Sequence, residues 1–299
     1  MKEYATFLGC IIPNRYPGIE ATTNRILNDF DIDLLQIKGA SCCPAPGVFS
    51  SFHLDTWLAI AARNIALGEA TGRDIVTMCN GCYGSLIEAN HLLNGSKELR
   101  DRINDILVKV GSEFRGTSKI RHIIEIFSEE VGVKKIQDAN KLDLAGISAC
   151  THYGCHFLKP EGIKKHGSTE HPRILDELVE ATGAKSLDYR DKNMCCGFGG
   201  GVRAKNIDVT LDFTREKIKN MLSAGGECIV DQCASCHLEF DRGQLEIKKL
   251  YGEEYKLPVL YFTQLIGLGM GLSEGEMGLK YQNISSEQLF KKKKGGKRK

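Results

Sequence analysis

The stretch Met194-Cys195-Cys196-Gly197-Phe198-Gly199-Gly200-Gly201 sets two adjacent cysteines directly ahead of a glycine loop. A gap of 39 residues separates Cys155 from the pair and a gap of 36 separates the pair from Cys233-Ala234-Ser235-Cys236, so five thiols form a set of the pattern C, CC, CxxC. An earlier set repeats it: Cys10, a gap of 31, Cys42-Cys43, a gap of 35, then Cys79-Asn80-Gly81-Cys82. Corresponding cysteines are offset by 145, 153, 154 and 154 residues, and ten of the twelve cysteines belong to the two copies. Offsets so nearly equal mark the duplication of a domain-length unit.

A chain of 299 residues agrees with two domains and can bury two apolar cores without disulfides. Met1 to Cys10 reads as a short strand rather than a secretory leader, so a reducing, cytoplasmic compartment is expected and a disulfide scaffold is the weaker account of the thiols. The most apolar run, Leu257 to Leu272, has 16 residues and is broken by Thr263, Gln264 and several glycines, which is short of a bilayer span. The net charge of +2 hides an asymmetry. Lys291 to Lys299 holds seven bases and no acid; without them, 33 bases face 38 acids, a net of −5. No aromatic residue interrupts that basic run to stack on bases, so a solvated tail, disordered at its end, is expected and no nucleic-acid partner.

Along the chain the apolar run Tyr4 to Leu8 ends at Cys10, and Pro17 opens a helical pattern with Ile26, Leu27 and Phe30 on one side. Leu34 to Ile37 reads as a strand leading to Cys42-Cys43, Phe52 to Leu67 as a helix, and Asp74 to Met78 as a strand ending at Cys79. The spacing of Ile103, Ile106, Leu107, Val110, Ile120, Ile123, Ile124 and Phe127 predicts largely helical chain from Asn80 to Val131. Lys134 to Leu144 connects to the second copy, with strands at Ala145–Ala149 and Cys228–Asp231 and helices at Pro172–Thr182, Val209–Leu222 and Leu238–Tyr251. After Leu272 periodicity fades into the charged tail. Each thiol group thus follows a strand and precedes a helix, the place where open parallel α/β sheets hold their ligands. The expected fold is α/β, with two pseudo-symmetric cysteine-rich domains, 1–140 and 141–275, each a small, mainly parallel sheet flanked by helices, and a tail at 276–299.

Five thiols per domain fit structural zinc poorly, because a closed tetrahedron takes four ligands. Iron–sulfur chemistry fits better, although an ordinary cubane also takes four, so the fifth thiol suggests a bridging thiolate or an iron skeleton more open than a cube. Adjacent side chains on a strand point to opposite faces, so a vicinal pair reaches one centre only where the chain turns. Gly197 to Gly201, and Pro44, Pro46 and Gly47, supply turn chemistry at those places. Zinc and thiol redox exchange remain open alternatives. Cys150 and Cys228 lie outside the pattern and are expected to be buried apolar thiols; His152 and His156 bracket Cys155 and are expected to be structural, a hydrogen bond to cluster sulfur or a proton delivered to a leaving thiolate being the alternative.

From Tyr4 to Gly271 the duplicated pattern resembles the cysteine-rich CCG domain family, and two such domains in a chain of this size resemble the B subunit of the methanogen CoB–CoM heterodisulfide reductases. The first copy departs in one place, reading Cys42-Cys43-Pro44 where the family name has glycine. The resemblance implies that Cys10, Cys42, Cys43, Cys79 and Cys82 hold one non-cubane 4Fe-4S cluster and Cys155, Cys195, Cys196, Cys233 and Cys236 a second, the two facing each other across a disulfide substrate. Two one-electron centres match the two electrons that splitting an S–S bond requires. It further implies an archaeal, cytoplasmic oxidoreductase that reduces the coenzyme M–coenzyme B heterodisulfide at the end of methanogenesis. The chain contains neither the C-x2-C-x2-C-x3-C-P run of a ferredoxin nor a GxGxxG flavin turn. Electrons are therefore expected from partners, which the resemblance implies are a ferredoxin-like C subunit together with a flavin-containing A subunit and a hydrogenase or other donor module. Arg203 and Lys205, just after the glycine loop, are candidate partners for the anionic ends of the substrate. Two other readings stand beside this one. One is a component of another CCG-domain reductase, such as a thiol:fumarate reductase, a glycolate or lactate oxidoreductase or a sulfur-oxidation homologue; the other is a zinc-stabilised adaptor without turnover.

Overall fold

The computed structural model describes residues 1–199 and 201–293. Two four-stranded sheets, parallel throughout, share one topology. The first is ordered β2-β1-β3-β4, with β1 at Lys2–Phe7, β2 at Ile32–Gln36, β3 at Ile75–Thr77 and β4 at Ile120–His122. The second is ordered β6-β5-β7-β8, with β5 at Ser148–His152, β6 at Lys185–Leu187, β7 at Cys228–Asp231 and β8 at Val259–Tyr261. The register repeats as well: Phe7 pairs with Thr77 in the first sheet as His152 pairs with Asp231 in the second. Tyr4 to Phe7 and all of β7 are buried, the even burial of strands covered by helices on both faces.

The helices begin where their sequences supply starts. Pro17 occupies the first turn of Pro17–Asn28. His53 Nδ1 accepts from Thr56 N at 3.2 Å to open Leu54–Glu69, and Asn206 Oδ1 accepts from Val209 N at 3.3 Å to open Ile207–Ser223. The helix expected from Phe52 is broken at His53, whose extended backbone separates Val48–Phe52 from Leu54–Glu69.

Four strands depart from the expectations. β4 falls in the segment read as helical, because His122 ends the strand and caps the next helix in the same step, its ring accepting from Ile124 N while Glu125 accepts from His122 N. Ile120 therefore belongs to the sheet and Ile123, Ile124 and Phe127 to the helical turns after it. β6 and β8 have three residues each, too few for alternation to register in a sequence. The strand expected at Ala145–Ala149 runs instead from Ser148 to His152, so Cys150 sits inside it rather than at its end.

The two halves share one core. The helix Phe262–Gly269 packs on Pro17–Asn28, with Thr23 and Thr263 hydroxyls 2.9 Å apart, and Phe262 meets Phe127 edge-on at 5.2 Å. Lys164 Nζ reaches across to Glu88 at 2.7 Å with no side-chain exposure. The chain beyond Leu272 packs too: Met277, Leu279, Ile284 and Leu289 are buried, and the Asp241 carboxylate accepts from Asn283 N and Ile284 N at 2.9 Å. The basic run begins within the last described helix, Glu287–Lys293, and residues 294–299 lie outside the described residues.

Candidate metal centre

Both sheets present their thiols at carboxyl strand ends. Cys10 follows β1 and Cys155 follows β5; Cys79 follows β3 and Cys233 follows β7, each as the N-cap of a long helix, Asn80–Gly95 and Ala234–Tyr251. The positive dipole end of such helices favours thiolate over thiol, and Cys79 is held well below the usual thiol range, chiefly by hydrogen bonding to Cys233 and Cys82, whereas burial pushes Cys233 up. The vicinal pairs arrive on the loops after β2 and β6.

The ten thiols form a continuous series of side-chain contacts. It runs Cys10, Cys42, Cys43, Cys82, Cys79 in the first half and crosses to Cys233, Cys236, Cys196, Cys195 and Cys155 in the second. Cys79 and Cys233 Sγ are 3.9 Å apart at the crossing, and Cys196 and Cys236 Sγ are 3.3 Å apart. None of the twelve cysteines is in a disulfide; the 3.3 Å separation is well beyond an S–S bond of about 2.05 Å. Cys150, buried in β5 against Met221 O, stands outside the series, its thiol pushed up to about 12 by burial. Cys228 is buried in β7.

Glycines clear the space around the sulfurs. Gly9 and Gly154 precede the lone cysteine of each set with φ of +70° and +72°. A Cβ on Gly9 would lie 2.6 Å from Cys82 Sγ; one on Gly154 would lie 2.5 Å from Asn80 Nδ2 and 3.3 Å from Cys236 Sγ. The loops of the vicinal pairs are held by different means. In the second, Gly197 has φ +98° and passes so close to the helix Ile207–Ser223 that a Cβ would meet Thr210 O at 2.5 Å; Thr210 and Thr214 hydroxyls donate to Gly197 O and Cys196 O. In the first, Pro44 takes that place, and its carbonyl accepts from Trp57 Nε1 at 3.2 Å and from the Ser85 hydroxyl, while Asn64 brackets the turn by accepting from Ser41 N and donating to Cys42 O.

A cavity of about 530 Å³ adjoins the crossing. All five thiols of the second set line it; from the first half it takes Asn80, Gly81, Ala45 and Pro46, and His156, Phe198 and Leu238 are among the second-half residues of its wall. Arg203 also faces it, held by the buried Glu239 at 2.8 Å and by Glu246. Burial drives Glu239 up to about 7, against the pull of that guanidinium. Lys205 is exposed at the end of the turn Val202–Lys205 and is not part of the lining. Gly200, within the glycine loop, lies outside the described residues.

Other polar groups at the crossing were not singled out in the sequence. Asn80 Nδ2 donates to Tyr153 O at 2.6 Å, joining the first CxxC segment to the loop before Cys155, and Tyr261 Oη lies 2.8 Å from Met78 O and 3.2 Å from Gln232 O, the carbonyls just ahead of the two CxxC pairs. Asn80 lies inside a CxxC pair, so its position was a signal; Tyr261, in a strand of three residues, offered none. His152, expected to be structural, is fully buried within 4.8 Å of the Cys196 and Cys236 sulfurs.

Five convergent thiols per set, held at helix N-termini with cleared space beside them, fit an iron–sulfur group and exceed what tetrahedral zinc uses. The cysteine-rich CCG domain model matches residues 4–87 and 149–241. The chain is 48% identical over 98% of its length, and 97% of the relative, to the B subunit of the ferredoxin:CoB-CoM heterodisulfide reductase of Methanosarcina mazei. It is 36% identical to a protein of Archaeoglobus profundus described as like the B subunit of heterodisulfide reductase, covering 91% of each chain. A crystal structure of a hypothetical protein from Helicobacter pylori shares the fold, with a TM-score of 0.77 at 14% identity, over 95% of this chain and 52% of that one. The chain belongs to the CCG cysteine-rich domain family, in the branch formed by the B subunits of heterodisulfide reductases. No helix among the described residues is long and apolar enough to cross a membrane.

Proposed function

We propose that this chain is the catalytic iron–sulfur component of a multi-subunit oxidoreductase that reduces the coenzyme M–coenzyme B heterodisulfide to its two thiols. The observation that carries this reading is the meeting of two duplicated five-thiol sets at Cys79 and Cys233 beside a cavity of about 530 Å³, in the range of small-molecule sites. Cys10, Cys42, Cys43, Cys79 and Cys82 would hold one non-cubane 4Fe-4S cluster, and Cys155, Cys195, Cys196, Cys233 and Cys236 the other. When bound, such clusters supply one electron each together with Lewis-acidic iron.

The protein's own groups orient the reactants. Phe198, Leu238, Pro46 and Ala45 give the cavity an apolar wall beside the sulfurs, and the cavity-facing Arg203, held by Glu239 and Glu246, offers guanidinium N–H donors to an anionic end of the substrate. His156 lines the cavity beside Cys155, where an imidazole can deliver a proton to a departing thiolate. Burial and the nearby Lys164 charge lower its basicity, so the ring rests neutral and must take up a proton before it can pass one on. Lys205 extends the positive charge outward for a longer anionic arm. Electrons reach the site from a ferredoxin-like C subunit, itself supplied by a flavin-containing A subunit and a hydrogenase or other donor module, in the cytoplasm.

The deciding experiment is iron and acid-labile sulfide analysis of anaerobically purified protein, followed by heterodisulfide reduction with a reduced viologen dye. Iron and sulfide at the level of two clusters, with both thiols released, is the expected result. Stoichiometric zinc with little iron would overturn the assignment.

A further inference from the structure

His152 occupies the last position of β5, three residues before Cys155. It is fully buried, neither ring nitrogen has a hydrogen-bond partner, and its ring packs edge-on against Phe240 at 4.9 Å. A buried polar group without a partner is disfavoured, and its persistence in a folded core calls for a partner. The neighbours that a ring nitrogen does have are sulfurs: it, Cys196 Sγ and Cys236 Sγ all lie within 4.8 Å of one another.

The duplication supplies an internal comparison. Phe7 precedes Cys10 as His152 precedes Cys155, and the registers Phe7 with Thr77 and His152 with Asp231 place the two at one position of the repeated sheet. Phe7 is also buried. The first set therefore has an apolar ring where the second has an imidazole, with five thiols in each. A sixth ligand is not required by the count, so donation to sulfur is the role left for the ring.

We infer that in the iron-loaded protein His152 donates an N–H hydrogen bond to a ligand sulfur of the second centre, Cys196 or Cys236, and so makes the two iron–sulfur centres electronically unequal. The inference rests on the iron–sulfur reading above. Hydrogen bonds to cluster sulfur draw electron density from the thiolate and favour the more reduced state, raising the reduction potential. The second centre is then the better electron acceptor, and the first, with Phe7 in that place, the weaker. His152 is a positioning and tuning residue.

The test compares the iron-loaded full chain with His152→Phe, which copies the first half, and His152→Gln, which keeps an N–H donor. Iron and sulfide content and spectroscopically monitored redox titrations are the readouts. Full iron in all three proteins, one midpoint potential shifted downward in His152→Phe with the other unmoved, and recovery toward wild type in His152→Gln are expected. Full iron with both potentials unmoved in His152→Phe would overturn the inference. Loss of iron from one centre in both variants would overturn it too, by making the ring an iron ligand or a fold requirement. If the Phe ring prevents folding, His152→Leu takes its place with the same outcomes. Absence of iron from the wild-type chain would instead defeat the iron–sulfur reading, before any variant is compared.

Discussion

Cys79 Sγ and Cys233 Sγ lie 3.9 Å apart, each the first cysteine of its CxxC pair and each the cap of a long helix. The two thiol sets therefore abut at this one pair, and their other members are spread away from it. Serine at Cys195 or Cys196 should remove the second centre alone and lower iron by about half, by the ligand-loss logic of metal domains. Serine at Cys79 or Cys233 should disturb both centres and lower iron by more than half. Iron per chain after anaerobic purification checks this, and equal losses from all four substitutions would contradict it.

Gly154 combines a φ of +72° with a Cβ position 2.5 Å from Asn80 Nδ2 and 3.3 Å from Cys236 Sγ. Gly39 has a similar φ of +77° with open space around it. Gly39→Ala should cost only the backbone penalty of about 1–2 kcal/mol. Gly154→Ala should exceed it and also deplete the second centre of iron. Urea midpoints and metal content of the two variants separate backbone strain from crowding.

Glu125 is held up at about 7, from an ordinary 4.5, chiefly by burial. Below pH 4.5 folded and unfolded chains are both protonated there. Between 4.5 and 7 the unfolded chain ionises first, so stability falls as pH rises, and above 7 the whole cost, up to about 3 kcal/mol, is present. Glu125→Gln keeps an acceptor for His122 N and removes the charge. Its stability advantage over wild type should grow from pH 4.5 to 7 and level off above. Burial holds His122 down at about 3 and His166 at about 4; these act with the opposite sign, costing stability below pH 6.5, and because His166 Nδ1 lies 3.8 Å from Glu125 Oε1 the variant also takes that carboxylate away from His166. Denaturation curves at about pH 5 and about pH 8 that differ equally between variant and wild type would refute the assignment.

Cys10 and Cys42 are exposed, whereas in the second set Cys155 and Cys195 are half-buried and the rest buried. In the isolated chain, oxygen should reach the first centre sooner. A Cys195→Ser protein, retaining the first centre, should lose iron in air faster than a Cys42→Ser protein, retaining the second. The reverse order would show that thiol exposure does not set the sensitivity.

Much of this was legible because cysteine spacing survives where hydrophobic pattern does not. The offsets of 145 to 154 residues disclosed the duplication, and the strand-thiol-helix order followed from short apolar runs such as Tyr4 to Leu8. β4, β6 and β8 were not legible: three residues cannot display a period, and around Ile120 the isoleucines of a strand end and of a capped helix happen to share a helical spacing. Arg203 was visible only as a base after a glycine loop. That Glu239 and Glu246 hold it toward the cavity depends on a helix more than 30 residues further along the chain. His152 was visible as a neighbour of Cys155, but its lack of any nitrogen or oxygen partner is a property of the packed core alone.

A duplicated scaffold whose halves were identical and met symmetrically would present the same face to either end of whatever lay across it. Bound upside down, a lopsided molecule would then fit as well as right way up. The cavity breaks that degeneracy, because it opens onto the thiols of one half and meets the other only through Asn80, Gly81, Ala45 and Pro46. Pro44 against Gly197, and Phe7 against His152, deepen the inequality from within. The differences between the two repeats thereby give the cavity a polarity, the asymmetry that an unsymmetrical ligand would need in order to bind in one direction.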